Sequence, residues 1–224
     1  MVKSIDFIDE SIFNYLGAED YAVFIATIGF CDGIRLNDGV VWIQYDENNR
    51  ITAVVATGKN DRKLVFSSDD ADSQELQFII GDNDKNKLDK KYLLKKSVKN
   101  STVEKGVDKS LYLRIKNLNK ETPETNGEIS VFKALLNSMG KCEGVLICAN
   151  GEDVAGGFIT FSRKISLITD IYTNEQYRNK GYGKEIVEKL LKLSINKNVY
   201  LISKEHNLGF YKKCGFEIVK EIYV

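Results

Sequence analysis

The chain of 224 residues carries 32 basic and 32 acidic side chains, which cancel, so no overall field draws it to nucleic acid or to a membrane. One histidine and four cysteines without CxxC spacing leave no zinc-type ligand set, and no metal is expected. Cys31, Cys142, Cys148 and Cys214 read as buried, reduced thiols of a cytoplasmic protein, because no apolar run is long enough to span a bilayer and the N-terminus lacks a basic-then-apolar leader.

From Ser4 to Phe30, Ile5, Ile8, Ile12, Phe13 and Leu16 recur at helical spacing, with a break near Gly17. After Gly39 the texture changes to short β-rich runs, Val40–Tyr45 and Ile51–Ala56, joined by the turn Asp46-Glu47-Asn48-Asn49-Arg50. Trp42 and Tyr45 read as strand-core residues, and Lys63–Ser67 and Glu75–Ile80 extend the meander. The lysine-rich stretch Gly81–Lys109 is interleaved with Asp82, Asp84 and Asp89, so a solvated helix and loop fits it better than a nucleic-acid surface. Leu111–Ile115 alternates as a strand. The loop Lys116–Asn126, which holds the only proline, Pro123, sets the expected boundary between an N-terminal α+β domain (1–118) and a second domain (119–224).

In the second half, Ile129, Phe132, Leu135, Leu136 and Met139 mark an amphipathic helix. Strands follow at Gly144–Ala149, Val154–Phe161 and Ile165–Thr173, the first two joined by the hairpin signal Asn150-Gly151. Ile186, Val187, Leu190, Leu191 and Leu193 form one helical face. Val199–Ser203 reads as a strand, Asn207–Lys213 as a short helix and Phe216–Val224 as a last strand. The fold class is therefore α+β with a mixed sheet. Because both halves run from helix to meander, the first resembles a diverged repeat of the second.

Chemistry concentrates where the third of these strands ends, in Ile171-Tyr172-Thr173-Asn174-Glu175-Gln176-Tyr177-Arg178-Asn179-Lys180-Gly181-Tyr182-Gly183-Lys184. Two glycines open a helix there, letting a ligand approach main-chain N–H groups that have no partner within the helix. Such a turn is an anion socket suited to a diphosphate. Each hydrogen bond to a charged group contributes about 1.5–3 kcal/mol, against about 0.3–1 for the helix dipole, so the donors dominate. A Walker loop ending at Gly183-Lys184 would need glycine at Arg178 and Ser or Thr at Glu185. A dinucleotide fingerprint starting at Gly181 would need Gly or Ala at Ile186. Both fail.

Arg178-x-x-Gly181-x-Gly183 is similar to the acyl-CoA pyrophosphate loop of GNAT-type N-acetyltransferases. Asn207-Leu208-Gly209-Phe210-Tyr211-Lys212-Lys213-Cys214-Gly215-Phe216 resembles that family's second signature. The resemblance implies a GNAT-like mixed sheet splayed between two central strands. It implies that acetyl-CoA is the co-substrate, with the main chain of Ile171, Tyr172 and Thr173 beside its pantetheine arm. Arg178, Asn179, Lys180, Gly181, Tyr182, Gly183 and Lys184 would wrap its diphosphate, and Asn207 would touch the pantetheine or phosphate region. An N-cap role for Asn207 stands beside that reading.

Amide formation needs a neutral amine, and deprotonating a lysine-like amine at pH 7 costs about 4.6 kcal/mol. Asp170 or Glu175 could accept that proton, and either could instead be a surface charge. The departing thiolate needs a proton, and Tyr211 stands at the family's general-acid position; the alternative is that its ring packs with Phe210 against the sheet. His206 reads as a loop residue. The expected activity is acetyl transfer to a primary amine of a small molecule or peptide. A non-catalytic acyl-CoA-binding module and an acyltransferase using a longer chain are the alternatives. The first half is expected to form an acceptor wall or a homodimer contact. The first half shows no R-x-x-G-x-G of its own, only Asp82-Asn83-Asp84-Lys85 after its meander, and is expected to lack a cofactor site.

Overall fold

The computed structural model describes residues 1–5, 10–28, 40–57, 63–80, 90–98, 111, 114–115, 118, 140–162 and 165–223. The expected helix through Ile129 and Met139, the Pro123 loop and Cys31 lie outside these residues. The chain divides into two units: Met1–Leu93 with Ile202–His206 and Ile218–Val224, and Leu94–Leu201 with Asn207–Glu217.

The first unit is built on an antiparallel sheet in the order β1 (Val2–Ile5), β2 (Val41–Tyr45), β3 (Ile51–Thr57), β4 (Lys63–Ser67). The β2–β3 turn forms as expected. The Asp46 carboxylate accepts from the main-chain nitrogens of Asn48 and Arg50 at 2.8 Å, and Asn49 takes the left-handed conformation such a turn demands. Helix α1 (Glu10–Ile28) is broken at Gly17, where φ is 71° and ψ 175°. Its Ile12, Phe13, Tyr21 and Phe24 are buried, Phe24 meeting Phe66 of β4 edge-on.

Residues Ser73–Ile80 form a helix, α2, which corrects the expectation that Glu75–Ile80 extends the meander. The Asp72 carboxylate accepts from the amides of Gln74 and Glu75, at 2.9 and 3.2 Å, and so nucleates the first turn. Leu76 then packs with Ala53 and Val55, and the half-buried Trp42 lies against that cluster.

The second sheet runs β10–β5–β9–β8–β7–β6, from β5 (Lys90–Ser97), β6 (Cys142–Ala149), β7 (Glu152–Phe161), β8 (Ile165–Thr173), β9 (Asn198–Ser203) and β10 (Glu217–Tyr223). Strand β5 corrects the expectation of a solvated helix and loop: Tyr92, Leu93 and Leu94 are buried between flanking lysines. At Leu111 and Arg114–Ile115 the chain is helical rather than extended. Leu111 lies against Gly144 and the fully buried Ile115 against Gly156. The β6–β7 hairpin turns at Asn150-Gly151, both at positive φ. Helix α3 (Tyr182–Leu193) buries Ile186, Val187, Leu190 and Leu191, with Ile186 and Leu190 against Gly157 of β7. The short helix α4 (Leu208–Lys213) precedes β10. None of the described helices is long and apolar enough to cross a membrane.

Cys142 and Cys214 are buried as expected, but Cys148 is exposed. It sits at a register shift in β6 beside the Asp153–Arg114 pair, where Arg114 Nε donates to Asp153 Oδ2 at 2.9 Å. The Cys148 thiol donates to Asp153 Oδ1 at 3.1 Å, and that hydrogen bond raises its pKa.

Candidate active site

The site begins where two parallel strands part. Strand β8 is in register with β9 at Ile165, Ser166 and Leu167, and that register ends at the Leu167–Tyr200 pair. Its register with β7 continues to Thr173. The closed end is fastened by a buried polar cluster. Ser194 Oγ donates to Ser166 Oγ at 2.8 Å, and Asn196 Nδ2 donates to the carbonyl of Ile165 at 2.7 Å. This cluster ties the α3–β9 connection to the start of β8, so the opening develops only toward the C-terminal end of β8.

Along that end the β7 register skips, pairing Phe158 with Thr169 but Gly156 with Tyr172. Gly157 therefore faces two residues, Asp170 and Ile171, in a β-bulge. Asp170 adopts a φ of 52°, an uncommon left-handed setting for a non-glycine residue, which re-aims its side chain. The Asp170 carboxylate accepts a hydrogen bond from the Tyr172 hydroxyl at 3.2 Å.

Beyond β8 the chain makes a short 3₁₀ turn, Glu175–Tyr177, capped by Asn174, and then the glycine loop. Asn179 and Gly181 both have positive φ, 63° and 91°, on either side of Lys180. Gly181 is the N-cap of α3 and supplies no side-chain acceptor. Among the described residues, none accepts a hydrogen bond from the main-chain nitrogens of Asn179, Lys180, Gly181, Tyr182, Gly183 or Lys184; the first contact of this kind is Glu185 N to Gly181 O at 3.1 Å. A Cβ on Gly183 would stand 3.4 Å from both Thr173 Oγ1 and Phe210 Cζ. The end of β8, the glycine loop and α4 thus converge on one point. Tyr182 meets the Tyr177 ring edge-on, and Lys180 Nζ lies 5.0 Å from that ring's centre.

Arg178 is exposed, donates from Nε to the Thr173 carbonyl at 3.4 Å and pairs with Glu175 at 3.5 Å. Glu175 itself is 83% exposed. Asn207 occupies the N-cap position of α4, but its side chain makes no capping hydrogen bond, so the capping alternative is not realised. Tyr211, on α4, packs edge-on against Phe210 and Phe216 at centroid distances of 4.9 and 6.1 Å. Burial pushes its phenol up to about 12, and nearby Cys214 adds to the shift. The ring packing expected as the alternative is thus present, and no described residue hydrogen-bonds the hydroxyl. His206 lies in an exposed 3₁₀ turn.

Sequence reading missed the β8 bulge and the contact of Phe210 with Gly183. Nothing in the local sequence marks a bulge at Asp170. Phe210, by contrast, stands inside the second signature and could have been paired with the first.

Residues 141–218 match the acetyltransferase (GNAT) domain family. A GCN5-related N-acetyltransferase from Sphaerobacter thermophilus is similar over 100% of this chain and 94% of its own, at 9% identity and a TM-score of 0.62. A tandem GNAT protein from the clavulanic acid biosynthesis pathway is similar over 100% of this chain and 97% of its own, at 10% identity and a TM-score of 0.58. At such identities the structural likeness concerns the fold. The C-terminal half therefore carries a GNAT-type acyltransferase domain, and the whole-chain likeness to a tandem protein supports a diverged repeat in the N-terminal half.

Proposed function

We propose that the protein is an acetyl-CoA-dependent N-acetyltransferase acting on a primary amine. The observation that carries this reading is the run of bare amides from Asn179 to Lys184, held open by two left-handed residues where β8 leaves β9. Two such amides on a diphosphate contribute roughly 3–6 kcal/mol, which fits the loop to coenzyme A. The pantetheine arm runs along Ile171, Tyr172 and Thr173 in the opening between the strands. Asn207 contacts the arm near its phosphate end.

The acceptor nitrogen attacks the thioester carbonyl carbon, forming the C–N bond. Asp170, set by the bulge on the strand beside the thioester, takes the ammonium proton directly or through one water; Glu175, in solvent against Arg178, serves less well. Main-chain N–H groups near Ile171 stabilise the oxyanion. As the C–S bond breaks, its electron pair stays on sulfur and Tyr211 supplies the proton to the thiolate. The phenol is protonated at neutral pH at its ordinary pKa as well as at about 12, so the proton is in place when the thiolate forms, while the upward shift makes it a weaker acid.

Tyr211→Phe is expected to lower kcat about 10²- to 10⁴-fold with little change in acetyl-CoA affinity. The measurement is free thiol release across a library of amines, with calorimetry for binding. Parental turnover in the variant would remove Tyr211 from the chemistry. Binding of coenzyme A with no thiol release from any amine would favour a non-catalytic acyl-CoA-binding module.

The same tyrosine gives a pH prediction. Its folded pKa lies above the unfolded value of 10.0, so its contribution to stability is whole below pH 10 and is lost as pH rises through about 12. Over that window the parent should lose roughly 2–3 kcal/mol that Tyr211→Phe does not lose, measurable as the difference between their denaturant-unfolding curves.

A further inference from the structure

Helix α4 carries Tyr211 but is only six residues long, Leu208–Lys213, and its own hydrogen bonds cannot hold it firmly. Its C-terminal end is closed by a reciprocal pair of main-chain bonds: Phe216 N donates to Tyr211 O at 3.1 Å and Gly215 N to Lys212 O at 2.9 Å. Gly215 makes this closure possible by taking a φ of 84°. The closure leaves the Cys214 carbonyl facing outward at the negative end of the helix. Lys96 Nζ, from β5, donates to that carbonyl at 2.6 Å. The Lys96 side chain runs directly over Gly215, where any Cβ would stand 3.0 Å from Nζ and 3.4 Å from Cε. Gly215 thus serves twice, turning the backbone and clearing the path of the lysine.

The fastening reaches Tyr211 through few bonds. The Tyr211 carbonyl accepts from Phe216 N and from Cys214 N, the latter at 3.0 Å, so the peptide carrying the tyrosine is part of the clasp that Lys96 closes. Strand β5 lies between β9 and β10 in the sheet, so the anchor point is an internal strand rather than a loop. Its neighbour Lys95 is committed elsewhere, with Nζ 5.6 Å from the centre of the Tyr200 ring.

We infer that Lys96 is a positioning residue for acyl transfer: its ammonium, brought in on β5, clamps the C-terminal end of α4 and so fixes the Tyr211 phenol. This inference rests on the reading of Tyr211 as the proton donor. It also gives β5, which precedes the family-matched residues 141–218, a direct part in that domain's catalysis.

The test uses the full-length protein and four variants: Lys96→Met, Lys96→Arg, Tyr211→Phe and the double variant Lys96→Met/Tyr211→Phe. Lys96→Met should lower kcat about 10- to 100-fold, as expected for a misplaced reacting group, while coenzyme A affinity measured by calorimetry stays within about twofold. Lys96→Arg, which can still donate to the carbonyl, should recover most of the loss. In the Tyr211→Phe background Lys96→Met should cost no further activity, because the group it positions is already gone. Additive losses in the double variant, or a Lys96→Met enzyme with parental kcat, would overturn the role of Lys96 while leaving that of Tyr211 intact. Parental activity in Tyr211→Phe alone would instead defeat the underlying reading. Loss of coenzyme A affinity in Lys96→Met would make the residue a general structural prop and also overturn the inference.

Discussion

Two of the strand–turn–helix junctions among the described residues differ in whether the helix's first amides are taken. Between β8 and α3 the turn ends in Gly181, which has no side chain to offer, and the nitrogens from Asn179 to Lys184 are bare. Between β4 and α2 the turn Ser68-Asp69-Asp70-Ala71-Asp72 ends in a carboxylate that accepts from Gln74 N and Glu75 N. Buried Gln44 then fixes Asp72 from both sides, accepting from its nitrogen at 2.9 Å and donating to its carbonyl at 3.1 Å. The first junction leaves its donors unspent; the second spends them internally and adds negative charge that would repel a diphosphate. A helix start is an anion site only while its own sequence leaves it uncapped.

The sharpest way to break this contrast is to transplant the plug. Gly181→Asp places a carboxylate at the N-cap of α3, where it would accept from the amides proposed to hold coenzyme A. Affinity should fall by about 3 kcal/mol, roughly 100-fold in Kd by calorimetry, from two lost charge-assisted hydrogen bonds. Gly181→Asn carries a similar conformational cost at φ 91° and a similar cap without the charge, and should lose less. Equal affinities in parent and Gly181→Asp would mean that the bare amides do not bind the diphosphate.

The uncapped junction was legible in the sequence because every requirement is local: Arg178, Gly181 and Gly183 lie within one turn of the helix they start. The strands β6 to β10 were legible for a similar reason, as alternating or continuous apolar runs with clear turn residues, and their ends agree to about two residues. The capped junction was missed because Gln77-Phe78-Ile79-Ile80 has β-like composition, while the signal that decides for helix, Asp72 with Glu75 three residues on, stands in front of it. Strand β5 was hidden by its own flanks, since Lys90, Lys91, Lys95 and Lys96 outweigh the three apolar residues they enclose. Least accessible of all was the Lys96–Cys214 clamp, whose partners are 118 positions apart in the sequence and meet only through sheet order. The glycine loop proposed to hold coenzyme A could be read from residue types, but the proposed Lys96 clamp depends on long-range pairing.

The smallest effect expected from the contrast is also the one that separates fold from function. Asp72→Ala removes the plug from the first junction without creating glycine geometry there. It should destabilise the protein by about 0.5–2 kcal/mol through loss of the cap, seen as a lower denaturant midpoint. Coenzyme A should still titrate to one equivalent per chain with parental affinity, because freeing two amides does not remove Asp69, Asp70 and Glu75 from the same turn and helix start. A second equivalent bound by Asp72→Ala would show that a single carboxylate had been closing an otherwise competent site. With one equivalent and parental affinity, Asp72 belongs to the stability of α2 alone, and the acidic turn as a whole would suffice to keep a diphosphate from this junction.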